Sequence, residues 1–426
     1  MACNKEIPQL AEIAANPLPK VEELIDWLAS FGADPDGGVT RLLYSSDWAA
    51  GQSAMAVLME QAGLTVYYDD VGNLFGRLQG SEQTGSTILT GSHIDTVKCG
   101  GKYDGAYGII ASLLALARLR QMYGIPKHSL EVVSICEEEG SRFPLSFWGS
   151  GNITGRYLPD AVPDVQDSAG TSLAAAMTAA GFGQGAYRPS LRQDIAAYIE
   201  LHIEQGGTLE REQKTIGLVK GIVGQKRFTV ELQGEANHAG TTPMAWRQDA
   251  LCAAAEMIVW LEAEAKKRGE PLVATVGNIT AKPNTSNVIP GNVTFTVDTR
   301  HADQQQLDEF CQQFLQQFQR IAEQRAIRIA WQEWLNDPPV AMHSALVEQI
   351  EQICRQRQID YRPIYSGAGH DAQIFQKVCP TAMIFVPSHK GISHSPMEYT
   401  PPEALTAGIE VLTDLLYSLA YEGEPG

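Results

Sequence analysis

The sequence predicts an α/β protein in which a mixed-sheet domain is interrupted by an inserted α+β unit. Three observations carry this. At 426 residues the chain exceeds what one core ordinarily organises, so two domains are expected. Apolar runs over residues 86–90, 130–136 and 195–203 read as buried strands, and each ends near histidine or carboxylate side chains. Between 217 and 336 the order is instead strand, helix, strand, strand, helix, strand, which suggests a four-stranded antiparallel sheet backed by two helices, a ferredoxin-like insert. The expected divisions are 1–216 and 337–426 for the first domain and 217–336 for the insert.

Taken in order, residues 20–31 have helical spacing, and the turn-rich GADPDGGVTRLLYS leads to a second helix over 52–62. A strand over 64–68 and a turn at DVGNL precede the strand over 86–90. That strand opens into LTGSHIDTVKCGGKYDG, residues 89–105, around which the chain is organised. It places His93, Asp95 and Asp104 within twelve residues at a strand end, where sites in α/β sheets sit. Asp95 is spaced to hold one ring nitrogen of His93 and leave the other for a metal. The Gly100-Gly101 pair is read as flexibility that lets Asp104 fold back, and a carboxylate has two oxygens with which to bridge cations.

An apolar helix over 108–120 follows, its start beside Asp104. The strand over 130–136 ends in Glu137-Glu138-Glu139-Gly140, where three carboxylates repel one another unless cations are near. Residues 156–194 form a surface excursion with a short helix over 172–180. The strand over 195–203 carries His202 near its end and Gln205 just beyond. In the insert, strands over 222–232, 272–279, 293–298 and 327–334 alternate with helices over 249–267 and 304–323. After Asp337-Pro338-Pro339 come a helix over 345–356, SGAGHDA opening a short helix, a buried strand over 382–386, His394 in GISHSPMEY, and a final helix over 402–421.

A net charge of −18 with no Lys/Arg block argues against a nucleic-acid or membrane-surface partner. Screening beyond roughly 8–10 Å still allows a local arginine to take a small anion. Seven scattered cysteines without a CxxC pair suit free thiols in a reducing compartment. The first residues lack a cationic segment followed by an apolar one, so a cytoplasmic location is expected.

Alone, each strand-end motif has an ordinary reading as a polar turn or a satisfied core histidine. Together, His93, Asp104, Glu139, His202 and His394, with Glu138 adjacent, supply three imidazoles and two carboxylates, a set suited to two divalent ions such as Mn²⁺ or Zn²⁺.

The motifs GSHIDTV, GGKYDG, EEEGSRF, ELHIEQG, NHAGTTPM, NTSNVIPG, TVDTRH, SGAGHDAQ and GISHSP resemble the amidase branch of the M20 metallopeptidase-like superfamily. That branch includes N-carbamoyl-amino-acid hydrolases, ureidoglycolate hydrolases and allantoate amidohydrolases. The resemblance runs from about Leu24 onward, and FGADPDGGVTRLLYS, FWGSGNITG and SGAGHDAQIF are most similar to its allantoate-cleaving members. It implies one metal on His93 and His202, another on Glu139 and His394, and Asp104 between them. It also implies that Asp95 orients His93, Glu138 acts as general base and His238 stabilises an oxyanion. Arg300 is the implied clamp for a substrate carboxylate, with Asn287, Gln205, Gln225, Gly369 and His370 as polar contacts. The expectations that follow are cleavage of a ureido C–N bond in a small anionic ureide such as allantoate, an insert that serves as lid and dimerisation domain, and a homodimer.

Overall fold

Every residue of the strand that leads into the His93 motif is buried, because strands flank it on both sides and a helix covers it. The computed structural model describes Pro8 and residues 21–82, 85–157 and 161–422. The amino-terminal stretch read as lacking a signal, Cys3 and Lys20 lie outside the described residues.

Before the insert the strands are β1 (Thr65–Tyr68), β2 (Leu74–Leu78), β3 (Thr87–His93), β4 (Ser129–Ile135), β5 (Ile195–Ile203) and β6 (Ile216–Ile222). The middle of the chain adds β7 (Gly224–Gln233), β8 (Asn237–His238), β9 (Val273–Thr275), β10 (Ile279–Lys282), β11 (Val288–Ile289), β12 (Asn292–His301), β13 (Arg328–Asp337) and β14 (Val340–Ala341). It returns through β15 (Tyr361–Ser366) and β16 (Thr381–Val386).

Two compact units result. One comprises the described residues up to Lys220, Met342–Ile364 and those from Ala368 on; the other is Gly221–Ala341 with Tyr365–Gly367. In the first unit the sheet order is β1-β2-β4-β3-β5-β16-β6, with β15 also on β6. Strands β4, β3, β5 and β16 run parallel at its centre, and antiparallel pairs lie to either side, so the sheet is mixed. Parallel strands end on one side. His93 closes β3, the Glu137–Glu139 run follows β4, His202 is next to last in β5, and the chain leaving β16 leads to His394. The helix Ala106–Tyr123 lies against this sheet and is buried from Ala106 to Leu116, as its apolar composition requires.

In the second unit β12 pairs antiparallel with β7 along its whole length, and β13 pairs with the other edge of β7. Helices Ala250–Arg268 and Gln304–Gln324 cover one face around Phe228, Val230, Phe295, Phe314 and Phe318. The expected four-stranded sheet has five strands, because the segment over 272–279 is broken at Val276-Gly277-Asn278. Its halves, β9 and β10, pair with β12 separately.

Some elements went unforeseen. Strand β6 runs through the residues at which the insert was expected to begin. The second helix starts at Ser46, where the Ser45 hydroxyl accepts the Trp48 N–H as an N-cap. A short helix spans Trp148–Thr154. The last α-helix stops at Tyr417 and passes into a π-turn over Ser418–Glu422. Among the described residues no helix is long and apolar enough to cross a membrane.

Candidate metal centre

Asp104 is the hub. Its Oδ1 lies 3.5 Å from His93 Nε2 and 3.2 Å from His202 Nε2, and its Oδ2 lies 3.3 Å from His394 Nε2. His394 Nε2 is in turn 3.5 Å from Glu139 Oε1. Ligand atoms within 4.8 Å of one another group His93 with Asp104 and His202, His93 with Glu138 and Glu139, and Asp104 with Glu139 and His394. All five residues expected as ligands therefore converge, with Glu138 beside them.

The imidazole tautomers test whether cations fit. His93 Nδ1 lies 3.1 Å from the Asp95 carbonyl and His202 Nδ1 2.9 Å from the Ile203 carbonyl. A carbonyl only accepts, so both Nδ1 atoms donate, which leaves both Nε2 atoms as the positions that would turn a lone pair to a cation. The Gly105 N–H also points at His202 Nε2, at 3.2 Å, as expected of an acceptor. Two imidazole Nε2 atoms thus face one carboxylate oxygen at near contact, an arrangement that a cation among them would make favourable. The donor set fits a pair of borderline divalent ions.

Electrostatics agree. Burial raises the Asp104 carboxyl, but His202, His394 and His93 carry it well below the usual carboxylate range. Burial would lower His93, yet Asp104 and Asp95 lift it well above its ordinary value. Asp104 raises His394 to about 9. Burial, then Asp104, pushes Glu139 up to about 7, and burial pushes Glu138 well above its usual range. Carboxylates and imidazoles crowded this closely make a site where added positive charge is favourable.

The loops are built to hold this crowding. Asp95, 1% exposed, accepts the backbone N–H of Glu138 on Oδ1 at 3.0 Å and that of Glu139 on Oδ2 at 3.2 Å. Its carboxylate lies 3.4 Å from His93 Nδ1, farther than its own carbonyl, so its stronger link is to the Glu138–Glu139 backbone. Glu137 turns away from the centre to accept the Trp148 and Gly140 N–H groups, which sorts the three adjacent glutamates. Gly105 has φ +63°, and a Cβ there would lie 2.4 Å from the His93 carbonyl oxygen. Gly101 is not a flexibility device: its φ is ordinary, and a Cβ would lie 2.0 Å from Glu398 Oε1.

Of the expected substrate contacts, Gln205 donates from Nε2 to Asp104 Oδ2 at 2.9 Å. His370 is buried with its ring 4.7 Å from that of His202, and burial, then His202, holds it well below its ordinary pKa. Gly369 lies next to it, close to Phe147. The other candidates belong to the second unit. There His238 on β8 pairs with Val288 on β11, and the Asn287 carbonyl accepts the Ala239 N–H, so His238 and Asn287 are neighbours. Gln225, Arg227 and Arg300 all donate to the Asp298 carboxylate, and Arg300 Nη1 donates to the Gly367 carbonyl at 2.6 Å. Arg227, Asp298 and Arg300, though not Gln225, line a cavity of about 550 Å³ with Trp334 and Val273. Sequence reasoning missed Asp298, Ser393, Glu398 and the buried Asp371. Glu398 binds backbone amides nearly 300 residues earlier, and Asp298 takes Arg227 and Gln225 from another strand as well as Arg300 two residues on, so no motif marks their roles.

Sheet and ligand cluster together define a metal-dependent hydrolase. Residues 89–418 match peptidase family M20/M25/M40, and the chain belongs to it. The allantoate amidohydrolases of Bacillus subtilis (strain 168) and Escherichia coli (strain K12) are each 47% identical to it, over 94% of this chain and 97% and 98% of their own lengths. A crystal structure of an amidase of the hydantoinase/carbamoylase family from Burkholderia multivorans superposes with a TM-score of 0.90 at 35% identity, covering 95% of this chain and 98% of that one.

Proposed function

We propose that the chain hydrolyses a ureido C–N bond of allantoate, adding water to give ureidoglycine, ammonia and carbon dioxide in purine-derived nitrogen catabolism. The observation that carries this reading is the Asp104-centred cluster in a chain 47% identical to two allantoate amidohydrolases. In this reading His93 and His202 hold one divalent cation, Glu139 and His394 a second, and Asp104 serves both, with Mn²⁺ or Zn²⁺ as the ions. When bound, two such ions supply a water acidic enough to lose its proton near neutral pH and a positive field for developing negative charge.

The chain's own groups do the rest. Glu138 accepts the proton of the attacking water and returns it to the leaving nitrogen. Its burial suits the first half of that exchange, because a carboxylate raised above its usual range accepts a proton more readily than an ordinary one. His238 is assigned the oxyanion of the tetrahedral intermediate and Arg300 the substrate carboxylate, whose two oxygens match a guanidinium fork. Asn287, Gln205, Gln225, Gly369 and His370 complete the polar contacts, and Asp95 fixes His93 and the Glu138 backbone. The second unit is read as a ferredoxin-like lid and dimerisation domain, bounded near 217 and 336, of a cytoplasmic homodimer.

The test is ammonia release by metal-reconstituted protein on allantoate against a panel of N-carbamoyl amino acids, repeated with Glu138→Gln. Turnover of allantoate that falls by about 10²-fold or more in the variant supports both substrate and base. Preference for the carbamoyl panel, the reading favoured by likeness to the hydantoinase/carbamoylase amidase, moves the substrate and keeps the chemistry. Inactivity on both with two ions bound refutes the substrate class.

A further inference from the structure

We infer that Glu398 is a positioning residue: it ties the loop of Asp104 to the loop of His394 and keeps the Ser393 hydroxyl proton away from the shared carboxylate. The inference rests on the two-cation reading above. Glu398 is buried, and its Oε1 accepts two successive backbone N–H groups, Tyr103 at 2.9 Å and Asp104 at 3.1 Å. Its Oε2 accepts the Ser393 hydroxyl at 2.7 Å. One carboxylate thereby fixes the backbone immediately before the Asp104 side chain and the residue immediately before His394. The second loop is folded back on itself by the Glu398 N–H to the Ser395 carbonyl, and it holds His394 at φ +54°. The approach on the first loop is so close that a Cβ on residue 101 would have to displace the Glu398 carboxylate.

Ser393 shows why a carboxylate is needed there. Its hydroxyl oxygen also lies 3.4 Å from Asp104 Oδ2, and it accepts from Gln205 Nε2 at 3.3 Å. A hydroxyl has one proton, which goes to the nearer acceptor, Glu398. In Glu398→Gln the amide oxygen takes over the two N–H groups, and the amide nitrogen then donates to Ser393. The Ser393 proton must turn, and Asp104 Oδ2 is the acceptor within reach. A proton donor there competes with a cation for the oxygen that faces His394.

The experiment measures bound metal rather than turnover. Wild type, Glu398→Gln and the double variant Glu398→Gln/Ser393→Ala are loaded with Mn²⁺, gel-filtered, assayed for metal per chain, and titrated with a competing chelator. Glu398→Gln is expected to weaken the more loosely held ion by about 10- to 100-fold, the range for residues that orient ligands. Removal of the Ser393 hydroxyl is expected to restore most of it. Wild type holding fewer than two ions refutes the two-cation reading itself. Two ions in wild type and unchanged affinity in Glu398→Gln overturn the role of Glu398. A loss that Ser393→Ala does not relieve overturns the proton steering. Circular dichroism checks folding of each variant. If Glu398→Gln is unfolded, Gly101→Ala, whose Cβ displaces Glu398 from the same two amides, carries the same expectation of loss, and its unchanged affinity overturns the role.

Discussion

Asp95→Asn isolates what a single buried carboxylate contributes. In the native protein both oxygens are committed, one to the Glu138 N–H and one to the Glu139 N–H. Asparagine offers one acceptor, so whichever way its amide turns, one buried N–H meets an NH₂ group. Hydrogen bonds to charged acceptors contribute about 1.5–3 kcal/mol, and a stranded buried donor costs about 1–3 kcal/mol. These overlap, and the expected destabilisation is about 2–4 kcal/mol, a large share of a typical total of about 5–15 kcal/mol. The assay is urea unfolding of chelator-treated wild type and variant, which removes any contribution from bound ions. A change below about 0.5 kcal/mol, the size of an ordinary surface substitution, would refute the reasoning, because it would mean that the Glu138–Glu139 backbone has another partner. A parallel loss of metal affinity of about 10- to 100-fold is expected, since Glu138 and Glu139 lose their fixed placement.

Gly105→Ala should be worse, because its Cβ has to displace the His93 carbonyl and ring while holding φ +63°; loss of metal retention together with a lowered melting temperature checks it, and normal retention would count against the loop geometry. Phe314→Ala, in the core of the second unit, should cost about 3–5 kcal/mol in denaturant while chelator competition for the ions stays near wild type, since none of the five ligands lies in that unit. Stability should also depend on pH through Asp298. Burial raises its carboxyl, but Arg300, then Arg227 and Gln225, hold it below the ordinary 3.8. A depressed carboxyl contributes stability that is present above that value and lost as pH falls through the native one, so Asp298→Asn should be destabilising at pH 7 and the difference should shrink below about pH 4. An Asp298→Asn gap that is constant from pH 7 to pH 3 would show that the ion pairs contribute nothing.

The ligands were legible because parallel strands announce themselves as apolar runs and place their ends together. His93, Glu139 and His202 stand at or just after such ends, and Asp104 and His394 follow in loops rich in Gly and Ser. What Asp95 does was half legible: its spacing to His93 was plain, while its bonds to amides 43 and 44 residues away were not. Glu398 was invisible for the same reason, since it binds backbone nearly 300 residues earlier, and a backbone amide carries no residue-type signal. Gly101 was misread because flexibility and close approach leave the same letter in the sequence. Strand β15 escaped notice because Pro363 interrupts its pattern, and β6 because its glycines, Gly217 and Gly221, read as a boundary. The helix Trp148–Thr154 is short and holds two glycines, which weigh against a helix in any local reading.

The pairing of β5 with β16 has a consequence for how the protein is made. His202 ends one of these strands and His394 follows the other, and the second unit is synthesised between them. At a synthesis rate of about 5–20 residues per second, the nascent chain waits roughly ten seconds or more between the appearance of β5 and that of β16. During that interval the second unit can form its own core, whereas one edge of β5 stays unpaired and the ligand set is incomplete. The last member of the ligand set, His394, is therefore late to arrive, and truncated chains ending before Thr381 should expose a sticky strand edge beside an incomplete centre.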